Sequence, residues 1–107
     1  MNDYQQLTQL VAPACESFGV EELSIFGSRA RGDSDADSDF DFLVTFDHSQ
    51  VGRLSDRFFG LLFYLEDNLS GHVDLLEQNA IRNPYLREAI EEERKVIYGT
   101  RTEDAVL

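Results

Sequence analysis

The chain has little with which to tie itself together covalently and little with which to grip a polyanion. Among its 107 residues Cys15 is the only cysteine, so no intrachain disulfide can form and no thiolate cage can hold a metal. Basic residues are scarce: nine Lys and Arg stand against 21 Asp and Glu, a formal net charge of −12. A surface of that sign repels nucleic-acid phosphates, so direct binding of RNA or DNA is not expected. A basic protein partner would suit it, and a salt-adapted host is the competing explanation, favoured by a single lysine, Lys95. No apolar run approaches the ~18 residues that a membrane helix needs. The opening MNDYQQ lacks a basic region followed by an apolar one, so no secretory leader is expected. The expectation is a protein with no membrane association and a cytoplasmic location.

What the chain does have is apolar residues, 42% of the total with eight Phe, enough to bury one core. The length suits a single domain over 1–107, with a polar, frayed tail from 99 to 107. Tyr4, Leu7, Leu10, Val11, Ala14 and Phe18 recur at helical spacing, a helix that ends near Gly19 and that Pro13 should kink or split. Cys15 falls on it as a small core residue. Leu23 to Phe26 is a short β-prone run that stops at Gly27. Leu54, Phe58, Leu61, Leu62, Leu65 and Leu69 mark a long amphipathic helix, and Phe59, Phe63 and Tyr64 widen the side that should cover a sheet. His72 to Leu76 has the pattern of a third strand. Asn83 caps a last helix begun by Pro84 and carrying Leu86, Ala89, Ile90, Glu93 and Ile97.

The stretch from Ile25 to Val44, IFGSRARGDSDADSDFDFLV, holds the chemistry. Phe40, Phe42, Val44 and Phe46 alternate along one face of a strand, so Asp39 and Asp41 share the other. Two carboxylates at i and i+2 on a strand have Cβ atoms roughly 6.5 to 7 Å apart, close enough for both to reach one hard cation. Unpaired, each would raise the other's pKa. Upstream, Gly27-Ser28 follows a strand and opens a turn whose first N–H groups lack intrahelical partners, an arrangement suited to anions. Arg29 and Arg31 can neutralise phosphates or simply balance the acidic loop. Two apart on a helix, they do not share a face, so at most one should meet a nucleotide. Asp33, Asp35 and Asp37 invite a calcium-loop reading, but in every register the sixth position lacks Gly and the twelfth lacks Glu. They are expected to be a solvated loop.

Gly27-Ser28, ten intervening residues and Asp39-Phe40-Asp41 resemble the signature of the DNA polymerase β-like nucleotidyltransferase superfamily. The fuller run, Gly27-Ser28-Arg29-Ala30-Arg31-Gly32 through Ser38-Asp39-Phe40-Asp41-Phe42-Leu43-Val44, is similar to its minimal nucleotidyltransferase (MNT) branch, as is Asn83 through Tyr98. The resemblance implies an α/β (α+β) polymerase β-like fold, a small mixed β-sheet flanked by about four helices. It implies a nucleotide site formed by Gly27, Ser28, Arg29, Arg31 and Ser38. A third carboxylate should come from the strand beside Asp39 and Asp41, and Asp74, an acid in an apolar run that needs a partner or a metal, fits that place. His72 shares its face and is expected to lie at the edge of the site.

On this resemblance Asp39, Asp41 and Asp74 would bind two Mg²⁺ ions, and ATP would be the substrate. MNT proteins act as antitoxins of HEPN ribonuclease toxins, transferring AMP to a toxin tyrosine. The implied role is therefore a protein adenylyltransferase and antitoxin in a hetero-oligomer with its HEPN toxin. Two rivals remain open: an antitoxin that blocks its toxin sterically without turnover, and a nucleotidyltransferase acting on a small molecule.

Overall fold

The structure is a computed structural model that describes residues 3–35, 37–50 and 52–99. Four strands form one mixed sheet: β1 (Val20–Phe26), β2 (Phe40–Phe46), β3 (Val73–Glu77) and β4 (Lys95–Gly99), in the order β3-β2-β1-β4. β1 is antiparallel to both β2 and β4, whereas β2 and β3 run parallel. The parallel pair needs a crossover, and the long helix α3 (Leu54–Asn68) supplies it. With α1 (Asp3–Ser17), the short α2 (Ser28–Arg31) and α4 (Pro84–Glu93), the result is the small mixed sheet with four helices that the motif implied.

The alternation in β2 sorts the two faces. Phe42, Val44 and Phe46 are buried with Leu23, Ile25 and Val73 beneath α1 and α3, which contribute Val11, Ala14, Cys15, Leu61 and Leu65. Burial pushes the Cys15 thiol up to about 12, so it behaves as a small apolar group and not as a nucleophile. On the other face Leu43 joins Ile81 and Ile90, with Phe26 and Leu76 against them, in a smaller cluster under α4. As the central strand, β1 is buried on both sides, and its inward polar residues need partners. Arg94 provides one: its guanidinium pairs with Glu22 at 2.6 Å and donates to Ser24 Oγ at 2.9 Å. At the opposite end of the sheet Arg57, buried in α3, donates to the carbonyls of Phe18, Gly19 and Asp47.

The structure departs from the sequence reading in four places. α1 runs unbroken through Pro13, whose ring lies on the exposed side of the helix. β1 begins at Val20, three residues before the apolar run suggested. α4 ends at Glu93, and Val96, Ile97 and Tyr98 form β4 instead of continuing the helix, because the β-branched pair finds a partner in the free edge of β1. Gly99 accordingly closes a strand and does not begin a tail; 100–107 lie outside the described residues. Finally, Phe59 and Phe63 do not cover the sheet: they are 49% and 57% exposed and stack on each other with centroids 6.1 Å apart. No helix among the described residues is long and apolar enough to cross a membrane.

Removing Arg94 would break the buried ion pair with Glu22, which costs about 3 to 5 kcal/mol for a pair of this kind. The urea midpoint of Arg94→Met should fall accordingly. An unchanged midpoint would mean that the pair contributes nothing to folding.

Candidate active site

The register of the sheet builds the site. Phe26 at the end of β1 pairs with Asp41 on β2, and Asp41 pairs with Asp74 on β3, so one row across the sheet carries both acids beside the turn that leaves β1. The parallel ladder opens with the Phe40 N–H donating to the His72 carbonyl at 2.8 Å, which brings Asp39 and His72 to the same edge. Side chains directly opposite one another on neighbouring strands are close enough to interact. The carboxyl groups of Asp41 and Asp74 lie within hydrogen-bonding reach of each other, and Asp39 adds its charge.

Asp41 responds as two crowded carboxylates must. Partial burial, then the negative charge of Asp74 and a hydrogen bond with it, then the charges of Asp39 and Glu93, raise its pKa above the ordinary carboxylate value. Asp74 is half exposed and its Oδ1 lies 3.0 Å from His72 Nε2. That contact gives His72 a place directly beside an acid and not merely at the rim of the site. Asp39 is exposed at the mouth. Among the described residues, no three carboxylates or imidazoles are already drawn into a closed cage; the close pair is Asp41 and Asp74.

The turn after β1 packs directly on this pair. Gly27 has φ 75° and ψ −155°, a region essentially reserved for glycine, and a Cβ there would collide with the Asp41 carboxylate. The glycine is therefore required by the acid itself. The Gly27 carbonyl accepts from the Ala30 and Arg31 N–H groups, which shapes α2, while the N–H groups of Ser28 and Arg29 meet no acceptor among the described residues.

The two arginines diverge, as their spacing requires. Arg29 lies 3.8 Å over the Phe40 ring and donates to the carbonyls of Asp35 and Ser38, at 3.2 and 2.9 Å. Arg31 pairs with Asp33 at 3.2 Å and with Glu93 at 3.0 Å. Ser38 Oγ accepts the Asp35 N–H at 2.9 Å, and Asp35 Oδ1 accepts the Asp37 N–H, so Arg29, Ser38 and Asp35 together brace the loop before β2. The sequence reading placed Glu93 along the last helix but gave it no part in the site, where its Oε1 accepts the Gly27 N–H at 3.0 Å. A glutamate near the end of an acidic helix looks like a solvated residue, and no local signal tells it apart.

The family model for the nucleotidyltransferase domain matches residues 7–97. The chain belongs to this family. It is a nucleotidyltransferase of the minimal branch. The protein adenylyltransferase MntA of Thermococcus cleftensis is 36% identical over 83 residues, 78% of each chain. A solved structure provisionally described as a minimal nucleotidyltransferase is 32% identical, with a TM-score of 0.70, covering 88% of this chain and 95% of that one. A complex of tri-AMPylated Shewanella oneidensis HEPN toxin with MNT antitoxin aligns with a TM-score of 0.63 over 95% of this chain and 78% of that chain. At 19% identity, the last likeness speaks to fold alone.

Two outcomes follow from the geometry. Because the folded-state pKa of Asp41 is raised, its ionisation opposes folding, and the penalty grows as pH climbs through that raised value. In chelator at pH 7, Asp41→Asn should therefore melt at a higher temperature than wild type, with the gap closing near pH 4; a lower melting temperature at pH 7 would contradict the crowding. Gly27→Ala should lose about 1 to 3 kcal/mol in chemical denaturation, the cost of a side chain in glycine-only backbone space.

Proposed function

We propose that this nucleotidyltransferase moves AMP from ATP to a tyrosine hydroxyl of a cognate HEPN ribonuclease toxin, acting as the antitoxin of that pair in the cytoplasm. The observation that carries the reading is the facing of Asp41 and Asp74 beside the Gly27 turn. The names of its relatives support a protein acceptor: MntA is a protein adenylyltransferase, and the structurally similar complex pairs an MNT antitoxin with an AMPylated HEPN toxin.

The donor set fits hard divalent cations. Oxygen ligands from Asp39, Asp41 and Asp74 suit Mg²⁺, and Asp41, whose pKa is raised by burial first and then by the neighbouring acids, is a group whose ionised form a cation would stabilise. When bound, two such ions would neutralise the triphosphate and make the acceptor hydroxyl more acidic. The tyrosine oxygen then forms a bond to the α-phosphorus while the bond to the β-phosphate oxygen breaks, and pyrophosphate leaves. Asp74 receives the hydroxyl proton, and its contact with His72 fixes the receiving oxygen. Ser28, with its hydroxyl and N–H, and Arg31 face the phosphates. Arg29 and Ser38 hold the loop that frames them.

A protein acceptor agrees with the surface. Asp39, His72 and Asp74 are all exposed at the sheet edge, so the reacting hydroxyl can be presented by a docked surface and does not have to enter a closed pocket. The net charge of −12 favours a basic partner and disfavours nucleic acid.

The reading is tested by incubating the chain with α-labelled ATP, Mg²⁺ and its co-encoded HEPN partner. Wild type should label the partner, and Asp39→Ala/Asp41→Ala should reduce labelling by roughly a hundredfold or more, as expected when the groups that stabilise transition-state charge are removed. Rescue from toxicity by both forms without any label would replace the enzyme with a steric blocker.

A further inference from the structure

Glu93 stands outside the shared motif, yet one carboxylate of it spans the whole motif turn. Oε1 accepts the N–H of Gly27, the residue that enters α2, and Oε2 accepts from Nη1 of Arg31, the residue that ends it, each at 3.0 Å. We propose that Glu93 is the positioning residue that clamps this turn over Asp41 and thereby sets the affinity for the nucleotide. The proposal rests on the nucleotide-transfer reading above and names a residue that the motif does not contain.

The turn needs an external hold. A helix of four residues cannot sustain itself, since nucleation costs more than one turn of hydrogen bonds returns. Its N-terminal residue is a glycine with no side chain to cap it, held in backbone space that other residues avoid. The turn's internal bonds all converge on the Gly27 and Ser28 carbonyls and leave the Gly27 N–H to be satisfied from outside. Glu93 is that outside partner.

Glu93 is also anchored well enough to serve. Three residues before it, Ile90 is buried in the cluster with Leu43 and Ile81. The next residue, Arg94, is fixed by Glu22 and Ser24 of β1, and Lys95 then pairs with Ile25. The carboxylate is thus carried by a corner between α4, which packs through Ile90 on Leu43 and Ile81, and β4, which pairs with β1. Its side chain is 28% exposed, so it can be replaced without opening the core. Since Gly27 abuts Asp41, a shift of the turn is felt at once by the acid.

The alternative is that Glu93 competes with phosphate for Arg31, in which case its removal would tighten nucleotide binding. Titration calorimetry with Mg·ATP separates the two. Glu93→Ala should raise the dissociation constant about tenfold or more, the scale of a lost charge-assisted hydrogen bond. Glu93→Gln keeps an oxygen for the Gly27 N–H but cannot accept from Arg31 through its amide nitrogen, so it should fall between the two. Label transfer should show the same order in KM, with kcat at saturating ATP less affected. Hydrogen exchange at the Gly27 amide should quicken in Glu93→Ala and stay slow in Glu93→Gln, while the amides of the sheet keep their protection. Wild-type affinity and wild-type exchange in Glu93→Ala, or tighter binding in it, would overturn the proposal. Failure of wild type to bind Mg·ATP at all would instead overturn the nucleotide-transfer reading, and this inference with it.

Discussion

Two like charges held face to face organise this molecule. The parallel pairing of β2 with β3 sets Asp41 opposite Asp74, and of the two only Asp74 has a basic side chain, His72, against it among the described residues. Such a contact survives only because the surrounding structure over-determines it. Phe42 and Val44 lock β2 into the main core from one face, Leu43 locks it into the α4 cluster from the other, and Val73 and Leu75 do the same for β3. A slip of one residue in either strand would turn these side chains to the wrong face, so the register that protects the core also holds the acids together.

The remaining polar residues near the site sort by what they support. Arg29, Ser38 and Asp35 brace the loop, Arg31 and Glu93 hold the turn, and His72 orients Asp74. The arginines of the motif are thus committed to structure as well as charge. Arg31, held by Glu93 on one side, is placed to exchange the exposed Asp33 carboxylate for a phosphate.

Much of this was legible in the chain because it is local. Alternation along Phe40 to Phe46 put Asp39 and Asp41 on one side of a strand, the stop at Gly27 marked the turn, and the spacing of Arg29 and Arg31 foretold their divergence. What escaped depends on distant partners. Val96 to Tyr98 continue a helical pattern until β1 offers them an edge. Glu93 resembles any solvated glutamate until the fold brings it to Gly27, 66 residues earlier. Phe59 and Phe63 fit a core-facing stripe, yet the helix turns them outward because Leu61 and Leu65 already fill the face against the sheet.

The order of the strands has a consequence for how the protein comes into being. β4, the last of the described strands, lies beside β1, the first of them, and the corner that carries Glu93 is made only just before it. A nascent chain that has emerged through β3 already possesses its acids, but the glycine bend above them has no brace and one flank of the central strand is bare. Competence therefore waits on β4 and the corner before it, and a copy lacking them has the reactive groups without the grip to use them.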